Sequence, residues 1–232
     1  MPDAPIPSHD SSNSARPVPA GADAFSTRVQ GLLDGQPKDE ATVTKALAGM
    51  GEMLDLIAAE LYSLASMLVG EGEESIRLVE TAVANAEVVS SDDPVADRKS
   101  GRRALCEAAL KVLAARDSGS LAAPEGLAGP ATCIEDDDLD AAGVSREEFE
   151  RMIAGPDRER VRKWLASLPT ALRTVFVLRA VAGFTAAETA GLLAEHGGPE
   201  AAGWTAEAVR EFFRQGLCSL ASQLIQASTA GR

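Results

Sequence analysis

Few side chains in this sequence combine the residue types and the spacing that catalysis or metal binding requires. The three cysteines, Cys106, Cys133 and Cys218, are widely and irregularly spaced, so they form no CxxC pair and no zinc-ligand set with the two histidines. We find no Ser/His/Asp or Cys/His arrangement and no glycine-rich phosphate loop. We therefore predict a protein that is not an enzyme, that holds no metal or cofactor, and whose thiols are reduced, as is usual in the cytosol.

Four consecutive acidic residues, Glu135 to Asp138, are another possible set of cation ligands. Calcium loops place their acidic ligands at alternating positions around a glycine, and this run lacks that spacing. The residues on either side of the run are rich in Gly, Pro, Ser and Ala. We interpret the run as part of an acidic linker, with a metal site as the weaker alternative.

Charge is distributed unevenly along the chain. The formal net charge is −13, so the protein as a whole has no long-range attraction to nucleic acid or to an anionic membrane. From Arg158 onward, however, nine Lys and Arg outnumber six Asp and Glu, whereas the preceding 157 residues hold 13 Lys and Arg against 29 Asp and Glu. A basic surface is therefore expected only at the C-terminal end, where Arg210 and Arg214 are four residues apart on one helix face.

The periodicity of the apolar residues predicts helices throughout. A composition that is 45% hydrophobic but only 4% aromatic favours packed helices over sheets, and apolar side chains recur at three- and four-residue steps. We expect a turn at residues 90–97, where two Asp precede Pro94. Helices are predicted at residues 23–33, 39–69, 73–87, 99–116, from 145 onward, and at 158–168, 170–182, 185–194 and 205–227. We therefore predict an all-α fold.

These helices are expected to form two small domains. Residues 1–22 hold five prolines among polar residues and are predicted to be disordered. We predict helical domains at residues 23–116 and 145–232, joined by a flexible acidic linker at residues 117–144. No stretch approaches the roughly 18 apolar residues of a membrane-spanning helix, and the first residues lack a secretion signal. We therefore expect a cytoplasmic protein with no membrane partner.

The second helical domain carries the clearest local signals. Pro169 presets the first turn of a helix, and Gly183 ends that helix. Thr185 with Glu188, and Ser145 with Glu148 at the start of this domain, have the spacing of a capping box, in which each side chain binds the other residue's backbone N–H. A longer helix follows after an insertion, Ala194 to Trp204, whose glycines and proline predict flexibility and whose tryptophan is expected to fasten it to the bundle. A short helix that crosses a longer one builds a helix-turn-helix unit.

Two parts of the chain resemble the sigma-70 family of bacterial transcription factors. The strings Leu168–Arg179 and Gly183–Leu193 are similar to region 4 of its extracytoplasmic-function group, with a Leu-Pro, a helix ending in Val-Leu-Arg and a Gly before a Thr cap. The string Leu61–Ala65, Gly70 and the pair Leu78-Val79 resemble region 2. The resemblance implies a sigma-factor-like protein of transcription initiation that binds RNA polymerase core and promoter DNA.

The resemblance also implies which residues face DNA. Arg210 and Arg214 lie on the helix with which the family reads the upstream promoter element. Arg102 and Arg103 lie on the helix that contacts promoter DNA in region 2, although here no aromatic residue accompanies them. We predict DNA contacts at these four arginines, and for Arg102 and Arg103 a solvated helix face is the alternative.

Contacts with polymerase or with another protein are implied at two further places. Arg77 and Glu80 flank the Leu-Val pair, where the family contacts polymerase. Phe212 lies where basic residues are common in the family, and with Phe213 it makes the recognition helix apolar, which indicates a protein contact. Two functions therefore stay open: a sigma factor that reads promoter DNA, and a sigma-like regulator that acts by protein–protein contact, as an anti-sigma decoy or a polymerase-bound modulator. A helical protein of another kind with accidental similarity is the third alternative.

Overall fold

The part of the chain that the structure describes is mainly helical. A computed structural model describes residues 57–85, 94–124 and 133–230, and these ranges contain no β-strand, which confirms the predicted all-α class. The helices are α1 (residues 57–69), α2 (Glu73–Asn85), α3 (Pro94–Arg116), α4 (Arg146–Ala154), α5 (Arg158–Ser167), α6 (Thr170–Phe176), α7 (Ala186–His196) and α8 (Ala206–Ala230). The tail and the helical turns predicted before residue 57 lie outside the described residues.

The helix α3 begins earlier than its sequence pattern predicts. The two Asp and the proline place a turn at residues 90–97, but α3 already begins at Pro94. Proline is well suited to the first position of a helix, because it has no N–H to leave unpaired and its φ is already helical. Residues 94–97 of the predicted turn are thus helical.

Two predicted capping boxes are present and define where α4 and α7 begin. Ser145 Oγ accepts a hydrogen bond from Glu148 N–H at 3.2 Å, and the Glu148 carboxylate accepts one from Ser145 N–H at 2.9 Å. Thr185 and Glu188 form the same pair of bonds at 3.2 and 2.8 Å. Lys99 Nζ of α3 lies 2.7 Å from Glu188 Oε1. The pKa of Glu188 is lowered to about 2. The hydrogen bond from Lys99 is the largest cause, and the hydrogen bond from the Thr185 backbone N–H is the second.

The helical hydrogen-bond pattern changes at the end of α6. The helix continues as a π-helical turn, Val177–Val181, in which Ala182 N–H donates to the carbonyl of Val177 at 3.0 Å. Gly183 follows with a φ of 79°, a left-handed conformation that glycine adopts without strain. Turns of this kind are rare and occur often at functional sites; this one contains Arg179.

An aromatic cluster joins four of the helices. The ring centroid of Phe176, at the end of α6, lies 5.8 Å from that of Phe149 in α4, 5.0 Å from Trp164 in α5 and 5.4 Å from Phe213 in α8. Helix α8 comes this close because residue 216 is glycine: a Cβ on Gly216 would lie 2.6 Å from Phe176 Cδ2. Since large aromatic side chains dominate core energetics, this cluster fixes the position of α8.

The segment between α7 and α8 is packed against the bundle, which does not match the flexibility predicted for it. It contains the 3-10 helix Pro199–Ala201. Trp204 is only 5% exposed, and its indole N–H donates to the carbonyl of Leu121 at 2.9 Å. Ala123 N–H donates to the carbonyl of Glu200, also at 2.9 Å. Trp204 therefore fastens the insertion as predicted, and its hydrogen-bond partner is 83 residues away in the sequence.

The buried residues form one hydrophobic cluster. It extends from Leu64 in α1 and Leu105 in α3 to Leu193 in α7 and Leu217 in α8, and the described helices all belong to one compact unit, residues 55–232. Within the ranges that the structure describes, no helix combines the length and the apolar character needed to cross a bilayer.

Candidate functional site

Helix α8 has one buried face and one face that carries arginines. Thr205 caps the helix, since its Oγ1 accepts a hydrogen bond from Ala208 N–H at 3.1 Å. Apolar side chains at three- and four-residue steps hold the helix against the bundle; they are Val209, Phe213, Leu217 and Leu220. Arg210 and Arg214 lie beside this stripe, with side chains 44% and 22% exposed. The structure thus brings the two predicted DNA-contacting arginines of α8 to one surface.

Both arginines are paired with carboxylates of their own helix. Arg210 Nη1 lies 2.9 Å from Glu207 Oε2. Arg214 Nη2 lies 2.9 Å from Glu211 Oε2 and 3.7 Å from Glu207 Oε1. Partly exposed pairs of this kind contribute only about 0.2–1 kcal/mol each, so an external anion can displace them. They nevertheless leave this face of α8 close to neutral.

The acidic run lies against the same arginines. Arg214 Nη1 donates to the carbonyl of Glu135 at 3.2 Å, and Arg210 Nε is 4.0 Å from Asp137 Oδ2. Arg179 Nη2 lies 2.9 Å from Asp137 Oδ2 and donates at 3.1 Å to the Asp137 carbonyl. The Asp137 carboxylate therefore lies between two guanidinium groups, one on α8 and one on the π-helical turn.

Arg179 is held in a fixed orientation at this site. Its Nη1 donates to the carbonyl of Phe184 at 3.1 Å, and its guanidinium carbon lies 5.0 Å from the ring centroid of Phe213, a cation–π distance. Burial lowers the pKa of Arg179, and the neighbouring Asp137 carboxylate opposes that shift. Because an arginine stays charged in proteins even so, this side chain is a fixed positive charge behind Asp137.

A disulfide connects the acidic run to α8. Cys133 and Cys218 are bonded, with their Cα atoms 5.7 Å apart, so the expectation that the thiols are all reduced is wrong for this pair. Cys218 follows Arg214 by one helical turn, and Cys133 is exposed. The third cysteine, Cys106, is free and buried; burial raises the pKa of its thiol well above the usual range, which makes it unreactive.

The predicted DNA contacts on α3 are paired within the chain. Arg102 Nη2 lies 3.5 Å from Glu60 Oε2 of α1, and Arg103 Nε lies 3.0 Å from Glu107 Oε1, one turn further along α3. Glu107 Oε1 also lies 3.8 Å from His196 Nε2 at the end of α7. The predicted DNA contacts on α3 therefore bind carboxylates of α1 and α3, whereas those on α8 bind carboxylates of α8 and of the acidic run.

The predicted polymerase contacts on α2 are exposed. The Arg77 side chain forms a 2.7 Å ion pair with Glu73, and Glu80 is exposed one turn later. Leu78, which lies between Arg77 and Glu80 in the sequence, is buried, whereas Ile76, which precedes Arg77, is 49% exposed. This face of α2 therefore offers one apolar and several charged side chains to solvent.

The two phenylalanines of α8 are core residues in this structure. Phe213 is 3% exposed and packs on Phe176. Phe212 is half-buried, and its ring lies 4.9 Å from that of Trp204 in an edge-to-face arrangement. Both side chains therefore serve packing here, and a partner contact made by Phe213 would require it to leave the core.

Sequence reasoning missed Asp137, Arg179 and the disulfide as parts of this site. The acidic run and the cysteines were visible in the sequence, but a cysteine count does not reveal which residues pair. Within the described ranges, no group of three or more His, Cys, Asp or Glu side chains is placed to hold a metal ion. Arg179, Arg210 and Arg214 give this surface guanidinium groups, which bind anionic groups such as carboxylates.

Comparison of the chain with protein-family models, with curated proteins and with solved structures finds no match.

Proposed function

We propose that this chain is a sigma-70-type protein of bacterial transcription initiation, which binds RNA polymerase core and promoter DNA in the cytoplasm. In this proposal residues 23–116 form a region-2-like domain and residues 145–232 form a region-4-like helix-turn-helix domain, with residues 117–144 as the linker. The promoter would be contacted through Arg210 and Arg214 of α8.

The observation that supports the proposal is the packing of the short helix α7 against the longer helix α8. A capping box at Thr185 begins the shorter helix, Gly183 with its positive φ precedes it, and the longer helix presents two arginines on one partly exposed face. In a helix-turn-helix protein the second helix enters the major groove and its N-terminal part contacts the bases. Arg210 and Arg214 lie in the first three turns of α8, where such contacts are made.

Pull-down with RNA polymerase core, followed by single-round run-off transcription, tests the proposal. We expect the full-length protein to bind core and to support initiation, and the double variant Arg210→Ala/Arg214→Ala to bind core but lose most run-off product. Each lost phosphate contact should lower the salt slope of DNA binding by about 0.9. Arg160→Ala is the matched control, because it removes an exposed arginine of α5 that is likewise paired within its own helix. A protein that does not bind core overturns the proposal.

A second function is favoured by one specific observation. The carboxylates of Glu207, Glu211 and Asp137 occupy both arginines of α8, which leaves little free positive charge for DNA. A sigma-like regulator acting by protein–protein contact, as an anti-sigma decoy or as a polymerase-bound modulator, needs no such charge. This alternative predicts binding to core or to an anti-sigma factor without run-off product, and with DNA binding that is weak at every salt concentration.

A further inference from the structure

The acidic segment, residues 133–138, lies on the surface where an external anion would bind. Its Asp137 carboxylate lies between Arg179 and Arg210, and its Glu135 carbonyl accepts a hydrogen bond from Arg214. Oxygen atoms are therefore placed against guanidinium groups in the way that phosphate oxygens of DNA would be. The segment therefore competes with DNA phosphates for the N–H groups of Arg210 and Arg214.

We propose that the acidic segment is an internal competitor for the anion-binding face of α8, and that the disulfide between Cys133 and Cys218 holds it in place. The inference rests on the proposed function, since it treats this face of α8 as a DNA-binding surface. Reducing the disulfide would loosen the segment's hold on α8, so that DNA phosphates could displace it from Arg210 and Arg214, while Asp137 keeps its bonds to Arg179. The disulfide would then act as a redox-controlled latch on DNA binding.

The position of the disulfide makes it an effective latch. Cys133 is two residues before Glu135 and four before Asp137, so the bond to α8 keeps both within reach of the arginines. A tether this short raises the effective concentration of a weakly binding group far above what the contact alone would achieve. Without the disulfide, the segment is held at α8 by its contacts with Arg210 and Arg214, which are partly exposed and contribute little to stability.

The chemistry of opening is thiol–disulfide exchange with a cellular dithiol. One thiolate of the dithiol attacks Sγ of Cys133, the exposed member of the pair, and Cys218 leaves as a thiolate that takes up a proton. The second thiolate of the dithiol then attacks the mixed disulfide and releases Cys133 as a thiol. Two electrons pass to the protein, and the dithiol becomes a disulfide. Buried Cys106 takes no part.

The test measures binding of the full-length protein to a fluorescein-labelled 30-base-pair DNA duplex of arbitrary sequence. Fluorescence anisotropy is recorded between 50 and 200 mM salt for the oxidised protein, for the protein reduced with dithiothreitol, and for Cys133→Ser. Removing the segment from two arginines should steepen the salt slope, by at most about 1.8, and tighten binding at the lowest salt concentration by up to about tenfold. Titration of accessible and total thiols in denaturant establishes whether the disulfide is closed or open.

A charge variant tests the competition by the Asp137 carboxylate without changing the redox state of the protein. In the oxidised protein, Asp137→Asn should tighten DNA binding severalfold, because it removes the carboxylate next to Arg210. Asp140→Asn is the matched control: it makes the same change in net charge three residues later, at an exposed position, and should leave affinity nearly unchanged. Reduction of Cys133→Ser should have no further effect.

Three results would overturn the proposal. They are a thiol count of three in the air-oxidised protein, equal DNA affinity of the oxidised and the reduced protein, and equal effects of Asp137→Asn and Asp140→Asn. Because the reduced wild-type protein reports on opening without any substitution, a folding defect in Cys133→Ser leaves the test intact. Core binding is measured separately: tighter DNA binding on reduction without core binding supports the latch and counts against the proposed function.

Discussion

Replacing Gly216 with alanine tests how α8 is held against α6. A Cβ at this position would lie 2.6 Å from Phe176 Cδ2, 3.4 Å from Cγ and 3.5 Å from Cε2. Carbon atoms in contact are normally about 3.5–4.0 Å apart, so the ring of Phe176 would have to move by about 1 Å. That ring is fully buried and contacts three other aromatic side chains, so it cannot move by this distance without displacing a neighbouring ring.

The expected magnitude follows from two opposing effects. Adding a methyl group to a packed core costs about 1–3 kcal/mol of unfolding free energy. Alanine is more favourable than glycine in a helix by about 1 kcal/mol. Gly216→Ala should therefore lower the free energy of unfolding by about 0–2 kcal/mol, although it is a change that normally stabilises helices.

Gly191 of α7 is the matched control. It is also a helical glycine, but a Cβ there would have no described atom within 4 Å, so Gly191→Ala should stabilise the protein by up to about 1 kcal/mol. Because the helix-propensity effect is common to both variants, urea unfolding should separate them by about 1–3 kcal/mol. Equal stabilities, or a more stable Gly216→Ala, would refute the claim that glycine is needed for the close approach of α8.

Two further predictions concern the contacts that join distant parts of the chain. Trp204→Phe should lower the free energy of unfolding by about 1–3 kcal/mol, because the buried carbonyl of Leu121 loses its donor; urea unfolding measures this, and no change would show that the hydrogen bond is dispensable. The pKa of Glu188 is lowered from 4.5 to about 2 in the folded protein, so its ion pair with Lys99 stabilises above pH 4.5 and is lost as the pH falls toward 2. Glu188→Gln should therefore be less stable than wild type at pH 6, by less than about 1 kcal/mol. The difference in stability should vanish near pH 2. A difference that persists at that pH would contradict the ion pair with Lys99 as its cause.

The local features of this fold could be predicted from sequence because their causes are local. A capping box needs two residues three positions apart, and both Ser145 with Glu148 and Thr185 with Glu188 form the predicted bonds. The buried stripe of α8 follows from three- and four-residue periodicity in the same way. These interactions are determined within one helical turn, so their prediction does not depend on where the rest of the chain lies.

The features that could not be predicted depend on residues far apart in the sequence. Trp204 is recognisable as a residue to be buried, but nothing in the sequence points to Leu121 as its partner. The glycines and the proline of the insertion therefore predict flexibility. The π-helical turn at Val177–Val181 leaves the apolar spacing of α6 almost unchanged, so periodicity alone predicts an ordinary helix there.

The arginines of α8 show how contacts from distant parts of the chain affect the proposed function. The charge count predicts a basic surface at Arg210 and Arg214, but Glu207 and Glu211 of the same helix pair with these arginines and leave the surface close to neutral. The structure adds Asp137 from 73 residues before Arg210 as a third anion. Salt screens the internal ion pairs as well as contacts to DNA phosphates, so displacing an internal carboxylate cancels part of the salt dependence that a new phosphate contact brings. The salt slope of the oxidised protein should therefore be shallower than about 0.9 per arginine, and a full slope before reduction would mean that Asp137 does not compete for this surface.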